Sequence, residues 1–173
     1  MQKIQTTLLK NSLTSNASEA HALFEKSKFG ERLDQKILYS ACEAFFLVKE
    51  NKMQILNFQN KPISENILLK KLCHLDKNFL TKYPVFEDLR KKGYIVKTAL
   101  KFGADFRVYE KESQTNDSHS KWLCYATQEN KQITWQDFVA KNRVAHSTKK
   151  NLLIAILDEE NQISYYEIKW TKP

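Results

Sequence analysis

Apolar and polar positions along this chain sort it into two stretches with different rhythms. In the first, residues 1–9 read as a strand, and Ser18 stands where a helix running to about Lys28 would be capped. Ser40-Ala-Cys-Glu43 has the spacing of a capping box, a hydroxyl followed three residues on by a carboxylate, and it opens an apolar helix through Val48. Residues 52–58 alternate with the period of two that marks a strand. Asn60-Lys-Pro62 turns the chain, and Ser64 opens a helix from Glu65 to about Leu75. The second stretch starts near Asn78. Residues 83–92 are predicted to be a helix with Phe86 and Leu89 on one face, and Gly93 suits the position just past its end. Residues 94–102 read as a strand with Ile95, Val96 and Leu100 apolar, broken by Gly103. Phe106 and Val108, alternating with Asp105, Arg107 and Tyr109, define a second strand. Residues 112–118 are a polar loop and 121–127 a third strand. Thr134-Trp-Gln-Asp137 begins a helix to about Ser147. Residues 151–157 and 162–170 form two last strands, joined by the acidic turn Asp158-Glu-Glu-Asn161. Helix, three strands, helix, two strands is the order of an α+β or mixed α/β domain. The expected division is residues 1–78 and residues 79–173, with no internal repeat.

Composition narrows this picture only a little. The 173 residues suit one large or two small domains, and 42% hydrophobic residues suffice for a core. The longest apolar runs, 44–48 and 152–157, are far too short to cross a bilayer, and no signal-peptide pattern opens the chain. A cytoplasmic protein is expected. Lys and Arg number 28 against 20 acids, a formal +8. That balance favours an acidic partner such as nucleic acid, although a lysine-rich composition accounts for it equally well. No basic amphipathic helix points to a membrane. The three cysteines, Cys42, Cys73 and Cys124, form no CxxC pair, so neither a disulfide framework nor a zinc site is suggested.

Candidate chemistry gathers in the second stretch. Tyr109 ends a strand, His119 follows in a polar loop, and Lys150 begins a later strand. A phenol, an imidazole and an ammonium suffice in principle to cleave RNA without a metal. One group takes the proton of the ribose 2′-hydroxyl, one protonates the departing 5′-oxygen, and a cation steadies the phosphorane. Histidine suits proton transfer because its ordinary pKa is about 6.5. A tyrosine, ordinarily near ~10, needs a neighbouring cation to serve as a base. The spacing alone does not single these residues out. Each also reads as an ordinary strand, loop or surface residue. His146 competes with His119, though its helical neighbours suggest a packed or half-buried position, and Lys149 competes with Lys150. Asp105 with Glu110 or Glu112 raises a metal nuclease as another possibility, without an obvious accompanying lysine. No P-loop, GxSxG or HExxH is present.

Three segments together carry a more specific signal. Tyr94-Ile-Val-Lys-Thr with Lys101-Phe-Gly-Ala-Asp-Phe-Arg-Val-Tyr109, then His119-Ser120-Lys121, then Arg143-Val-Ala-His-Ser-Thr-Lys-Lys150 resemble, in order and spacing, the three motifs of the archaeal tRNA-intron endonucleases. The likeness is close over roughly residues 83–170, and the N-terminal half offers no motif to carry over. The resemblance implies a small N-terminal mixed domain followed by a C-terminal nuclease domain with a mixed sheet flanked by helices. It implies cutting of precursor tRNA at intron–exon junctions, at a bulge-helix-bulge, leaving 2′,3′-cyclic phosphate and 5′-hydroxyl ends with no metal and no cofactor. It implies Tyr109 as general base, His119 as general acid and Lys150 as transition-state stabiliser. By the same resemblance Arg143 clamps a bulge base. Trp170 fits a partner in that clamp by its stacking chemistry, and equally fits an aromatic at a strand end. Asp158, Glu159 and Glu160 match an acidic loop that enters a basic cleft of another subunit, and a solvated hairpin turn is the alternative reading. The last strand is a candidate edge for pairing between subunits. A homotetramer, or a dimer of heterodimers with a second endonuclease subunit, is implied. A non-catalytic structural or RNA-binding subunit of the same assembly is the alternative, against which the joint presence of Tyr109, His119 and Lys150 argues.

Overall fold

The computed structural model describes residues 3–9, 12–111 and 119–171; the polar loop expected at 112–118 lies outside them. The chain divides into two compact units, Met1–Leu80 and Thr81–Pro173, each built on a five-stranded mixed sheet in an α+β arrangement.

In the first unit the strands are β1 (Ile4–Leu9), β2 (Ser12–Ser15), β3 (Glu31–Leu33), β4 (Lys36–Tyr39) and β5 (Met53–Leu56), in the order β3-β4-β2-β1-β5. Helices α1 (Ser18–Ser27), α2 (Ala41–Lys49) and α3 (Glu65–Leu75) accompany them. The capping box forms as expected: Glu43 N–H donates to the Ser40 hydroxyl while the Glu43 carboxylate accepts from Ser40 N–H. That carboxylate is buried, and it also accepts from Gly30 N–H at 2.9 Å. One side chain therefore ties the start of α2 to the turn before β3. Gly30 has φ 79°, and a Cβ there would lie 2.2 Å from Ile37 Cγ2. The sequence reading missed β2, β3 and β4. They are three or four residues long; β5 is as short, but it lies within the longer alternating run 52–58.

The second unit contains α4 (Phe79–Lys91), whose first residues belong to the preceding unit, β6 (Ile95–Ala99), β7 (Ala104–Tyr109), β8 (Trp122–Gln128), α5 (Trp135–Ser147), β9 (Asn151–Leu157) and β10 (Ile163–Ile168). The sheet order is β10-β9-β8-β7-β6. Its pairs are antiparallel except β8 with β9, the parallel pair that the crossover helix α5 requires. Thr134 caps α5 as its sequence suggested, accepting from Asp137 N–H at 3.1 Å. Helix α4 packs one face of the sheet through Phe86 against Phe106. Helix α5 covers the other, where Ala99, Ala104, Leu123, Ala145 and Leu152 form a buried cluster backed by Phe102 and Phe138.

Two boundaries moved. Helix α4 begins four residues earlier than expected, with Phe79 buried and Pro84 held inside it. Strand β6 stops at Ala99, after a register shift at Thr98/Ala99, and a 3-10 turn (Leu100–Phe102) follows. Leu100, read as an apolar strand residue, is consequently 83% exposed, and Phe102 packs inward. Gly103 closes the turn with φ 63°.

Candidate active site

Three strand ends meet at one end of the second sheet. Strand β7 finishes at Tyr109, and Val108 is the register partner of Trp122 at the start of β8. Lys121 N–H also donates to the Val108 carbonyl at 3.0 Å, and Asn151 N–H donates to the Lys121 carbonyl at 2.9 Å. The main chains at Tyr109, Lys121 and Lys150 are thus neighbours across three strands, and His119 lies two residues before Lys121. Lys121 Nζ lies 4.7 Å over the Trp122 ring while pairing with Glu110. His119 is exposed. Ser120 beside it is 4% exposed, its hydroxyl without a partner among the described residues.

The path from α5 to β9 separates the two competing lysines. Lys149 has φ 56°. Its N–H donates to His146 O at 3.0 Å, and Lys150 N–H donates to Ala145 O at 2.9 Å. These are the paired bonds of a Schellman motif, with Lys149 in the left-handed position usually given to glycine. Lys149 is exposed and Lys150 half-buried. The Lys150 ammonium donates to the Thr148 carbonyl at 2.8 Å and sits 5.4 Å over the Phe102 ring. A cation is favoured there, because unpaired carbonyls make a helix C-terminus locally negative. Burial, and then the charge of Arg107, push the Lys150 pKa below the usual lysine value.

On β7 the buried residues are Ala104, Phe106 and Val108, and the alternate positions Asp105, Arg107 and Tyr109 are half-buried. Tyr109 and Arg107 therefore leave the strand on the same face, opposite the one where Phe106 meets α4. Sequence reasoning did not single out Phe102 or Arg107 for the site. The signal for Phe102 was its place directly before Gly103. The signal for Arg107 was its parity with Tyr109.

Of the other residues singled out by sequence, Arg143, His146 and Trp170 lie toward this end of the sheet, whereas Asp105 and the acids Asp158, Glu159 and Glu160 lie at the opposite ends of β7 and β9. Arg143 and His146, three residues apart, share one face of the last turns of α5, and Lys150 follows beyond the turn. Trp170, 47% exposed, stacks on His146 with centroids 5.2 Å apart and planes 24° apart. His146 is exposed and not half-buried as expected; its packing comes from Trp170. Asp158 accepts from Glu160 N–H at 2.9 Å and Gln162 N–H at 2.7 Å, so its carboxylate shapes the hairpin turn. Glu159 and Glu160 project from that turn, exposed. Asp105 pairs with Lys82 at 3.3 Å and accepts from Ala126 N–H at 2.9 Å. Glu110 pairs with Lys121, and Glu112 lies outside the described residues. Away from these strand ends, a cavity of about 410 Å³ lined by Ile133, Trp135, Phe138, Ile154, Tyr166 and Ile168 opens between the start of α5 and the edge strand β10. No helix among the described residues is long and apolar enough to cross a membrane.

Comparison with known proteins adds to this geometry. The family model described as tRNA intron endonuclease, catalytic C-terminal domain, matches residues 79–165. A tRNA-splicing endonuclease of Thermococcus onnurineus is 40% identical over 150 residues, 87% of this chain and 85% of its own length. One from Pyrococcus abyssi is 39% identical over the same shares. One from Nanoarchaeum equitans is 39% identical over 153 residues, 84% of this chain and 97% of its own length. These alignments are longer than the second unit, so the likeness extends into the N-terminal half, where the sequence offered no motif.

Proposed function

From membership of the tRNA intron endonuclease family, to which this chain belongs, we infer that it cuts precursor tRNA at intron–exon junctions, without a metal ion in the chemical step. Residues 79–173 carry the chemistry. Tyr109 removes the proton from the ribose 2′-hydroxyl. The 2′-oxygen attacks the adjacent phosphorus, the bond from phosphorus to the 5′-oxygen breaks, and His119 donates a proton to that oxygen. The products are a 2′,3′-cyclic phosphate and a 5′-hydroxyl. Lys150 stabilises the charge on the phosphorane, and an ammonium already held between a carbonyl and an aromatic ring needs little reorganisation to do so. The observation that carries this reading is the pair of ladder bonds, Lys121 N–H to Val108 and Asn151 N–H to Lys121, which hold the three strand ends together.

Arg143 and Trp170 serve the RNA. A splayed base suits the plane of an indole and the charge of a guanidinium, and Trp170 is attached through His146 to the helix face that bears Arg143. The active form is a homotetramer or a dimer of heterodimers in the cytoplasm. Support comes from the unpaired side of β10, the apolar cavity beside it, and the exposed acids Glu159 and Glu160 on a protein of net charge +8.

The test is cleavage of a bulge-helix-bulge RNA by the purified chain in EDTA, with product ends and particle mass determined. Cyclic-phosphate and 5′-hydroxyl ends at the bulges are expected. Cleavage abolished by EDTA would overturn the metal-free step. An inactive tetramer would turn the reading toward a structural subunit.

A further inference from the structure

Arg107 has no role in the chemistry just described. It lies two residues before Tyr109 and on the same face of β7. Its register partner is Leu123, whose own partner is Leu152, and both leucines are fully buried. Lys150 is two residues before Leu152, so Arg107 and Lys150 stand on the same patch of sheet, across β8 from one another. The guanidinium is anchored: Nε donates to the Thr98 carbonyl at 3.0 Å, which ties it to β6 and orients its plane. Its charge helps hold Lys150 below the ordinary lysine range. The other titratable or charged groups around Lys150 are Lys101 in the 3-10 turn, Asp105 and Tyr109 on β7, Glu110 after it, Lys121 before β8, Glu167 on β10, and Arg143, His146 and Lys149 on or just after α5; the three acids are engaged elsewhere, Asp105 by Lys82, Glu110 by Lys121 and Glu167 by Asn151. Like charges held together on partly buried surface oppose each other, and an anion bridging them relieves that opposition. A planar fork and a point ammonium are complementary ligands for one phosphate.

We propose that Arg107 is a second phosphate-contacting cation of the RNA site, holding the non-bridging oxygens of the scissile phosphate while Lys150 meets the charge that grows in the transition state. The proposal rests on the endonuclease reading above. Arg107 neither gains nor loses a proton in the reaction. It is a substrate ligand that also keeps Lys150 a stronger hydrogen-bond donor than a solvated lysine.

Two variants test this, Arg107→Gln and Arg107→Lys, with two readouts. In single-turnover cleavage of a bulge-helix-bulge RNA, R107Q is expected to be slower by about 10- to 100-fold, and R107K to recover part of the loss. Without RNA, the pH dependence of Lys150 acylation, followed by mass spectrometry, is expected to move upward in R107Q and to stay put in R107K. A purely structural role would slow cleavage without separating the two variants in the acylation profile. Should R107Q fail to fold, R107K still decides, since the charge remains and the fork is lost: its rate is expected between parent and background. An active parent with R107Q or R107K cutting at the parental rate, or with Lys150 titrating unchanged in R107Q, overturns the proposal alone. A parent that cuts no RNA overturns the endonuclease reading and this proposal with it.

Discussion

At its N-terminal end helix α5 presents Trp135, 82% exposed, beside Ile133 and Val139; at its C-terminal end it presents Arg143, His146 and, past the turn, Lys150. The helix is the same, but its ends face different partners. Exposed aromatic and aliphatic surface grouped around an apolar cavity is the kind of surface on which the proposed assembly would draw. A helix C-terminus with unpaired carbonyls attracts cations, and here the cations are grouped where strand ends bring a phenol and an imidazole. On the proposed reading one element separates assembly from chemistry by its length, and damage to one end should leave the other intact.

The sharpest break in that comparison is at the C-terminal end. Lys150→Ala is expected to slow single-turnover cleavage at least ~100-fold, and His119→Ala by a similar factor, with RNA affinity and quaternary state retained in both. If Lys150→Ala lowers only affinity, Lys150 is a phosphate contact and not a stabiliser of the transition state. Arg143→Ala is expected to weaken binding of the bulged RNA about tenfold while a fully paired duplex binds as before; equal losses on both RNAs would remove it from the clamp. At the opposite end and on the neighbouring hairpin, Trp135→Ser or charge reversal at Glu159 and Glu160 is expected to shift sedimentation toward smaller species without changing the fold. A tetramer that survives both changes would deny this face any part in assembly. The smallest effect separates adjacent residues. Lys149→Gly relieves a left-handed backbone position worth about 1 kcal/mol and is expected to raise Tm by a few degrees with cleavage unchanged.

Much of this was legible in the residues. Ser40 and Glu43 announced their capping box, Thr134 its cap, and Phe106 with Val108 the strand that carries Tyr109, because each signal is local and complete within a few positions. Other features were not legible because their cause lies outside the local window. Leu100 read as an apolar strand residue, but the register shift at Thr98/Ala99 and the 3-10 turn leave it exposed and turn Phe102 inward. Lys149 and Lys150 cannot be told apart by type. They differ because one takes the left-handed step and the other is carried onto Phe102. The stacking of Trp170 on His146 joins a chain end to a helix twenty-odd residues earlier, and no periodicity encodes it.

The turn that seats Lys150 also bears on how the chain can change over generations. Helix α5, the Schellman turn and strand β9 follow one another with no slack: Lys150 is bonded backward to Ala145, and the next residue forward to Lys121. A single residue inserted before Lys150 would rotate it by about 100° around the helix axis or break the ladder. Insertions and deletions among descendants of this chain should therefore be purged at residues 147–151. An engineer seeking a place to graft a foreign peptide onto the molecule has the same boundary to respect.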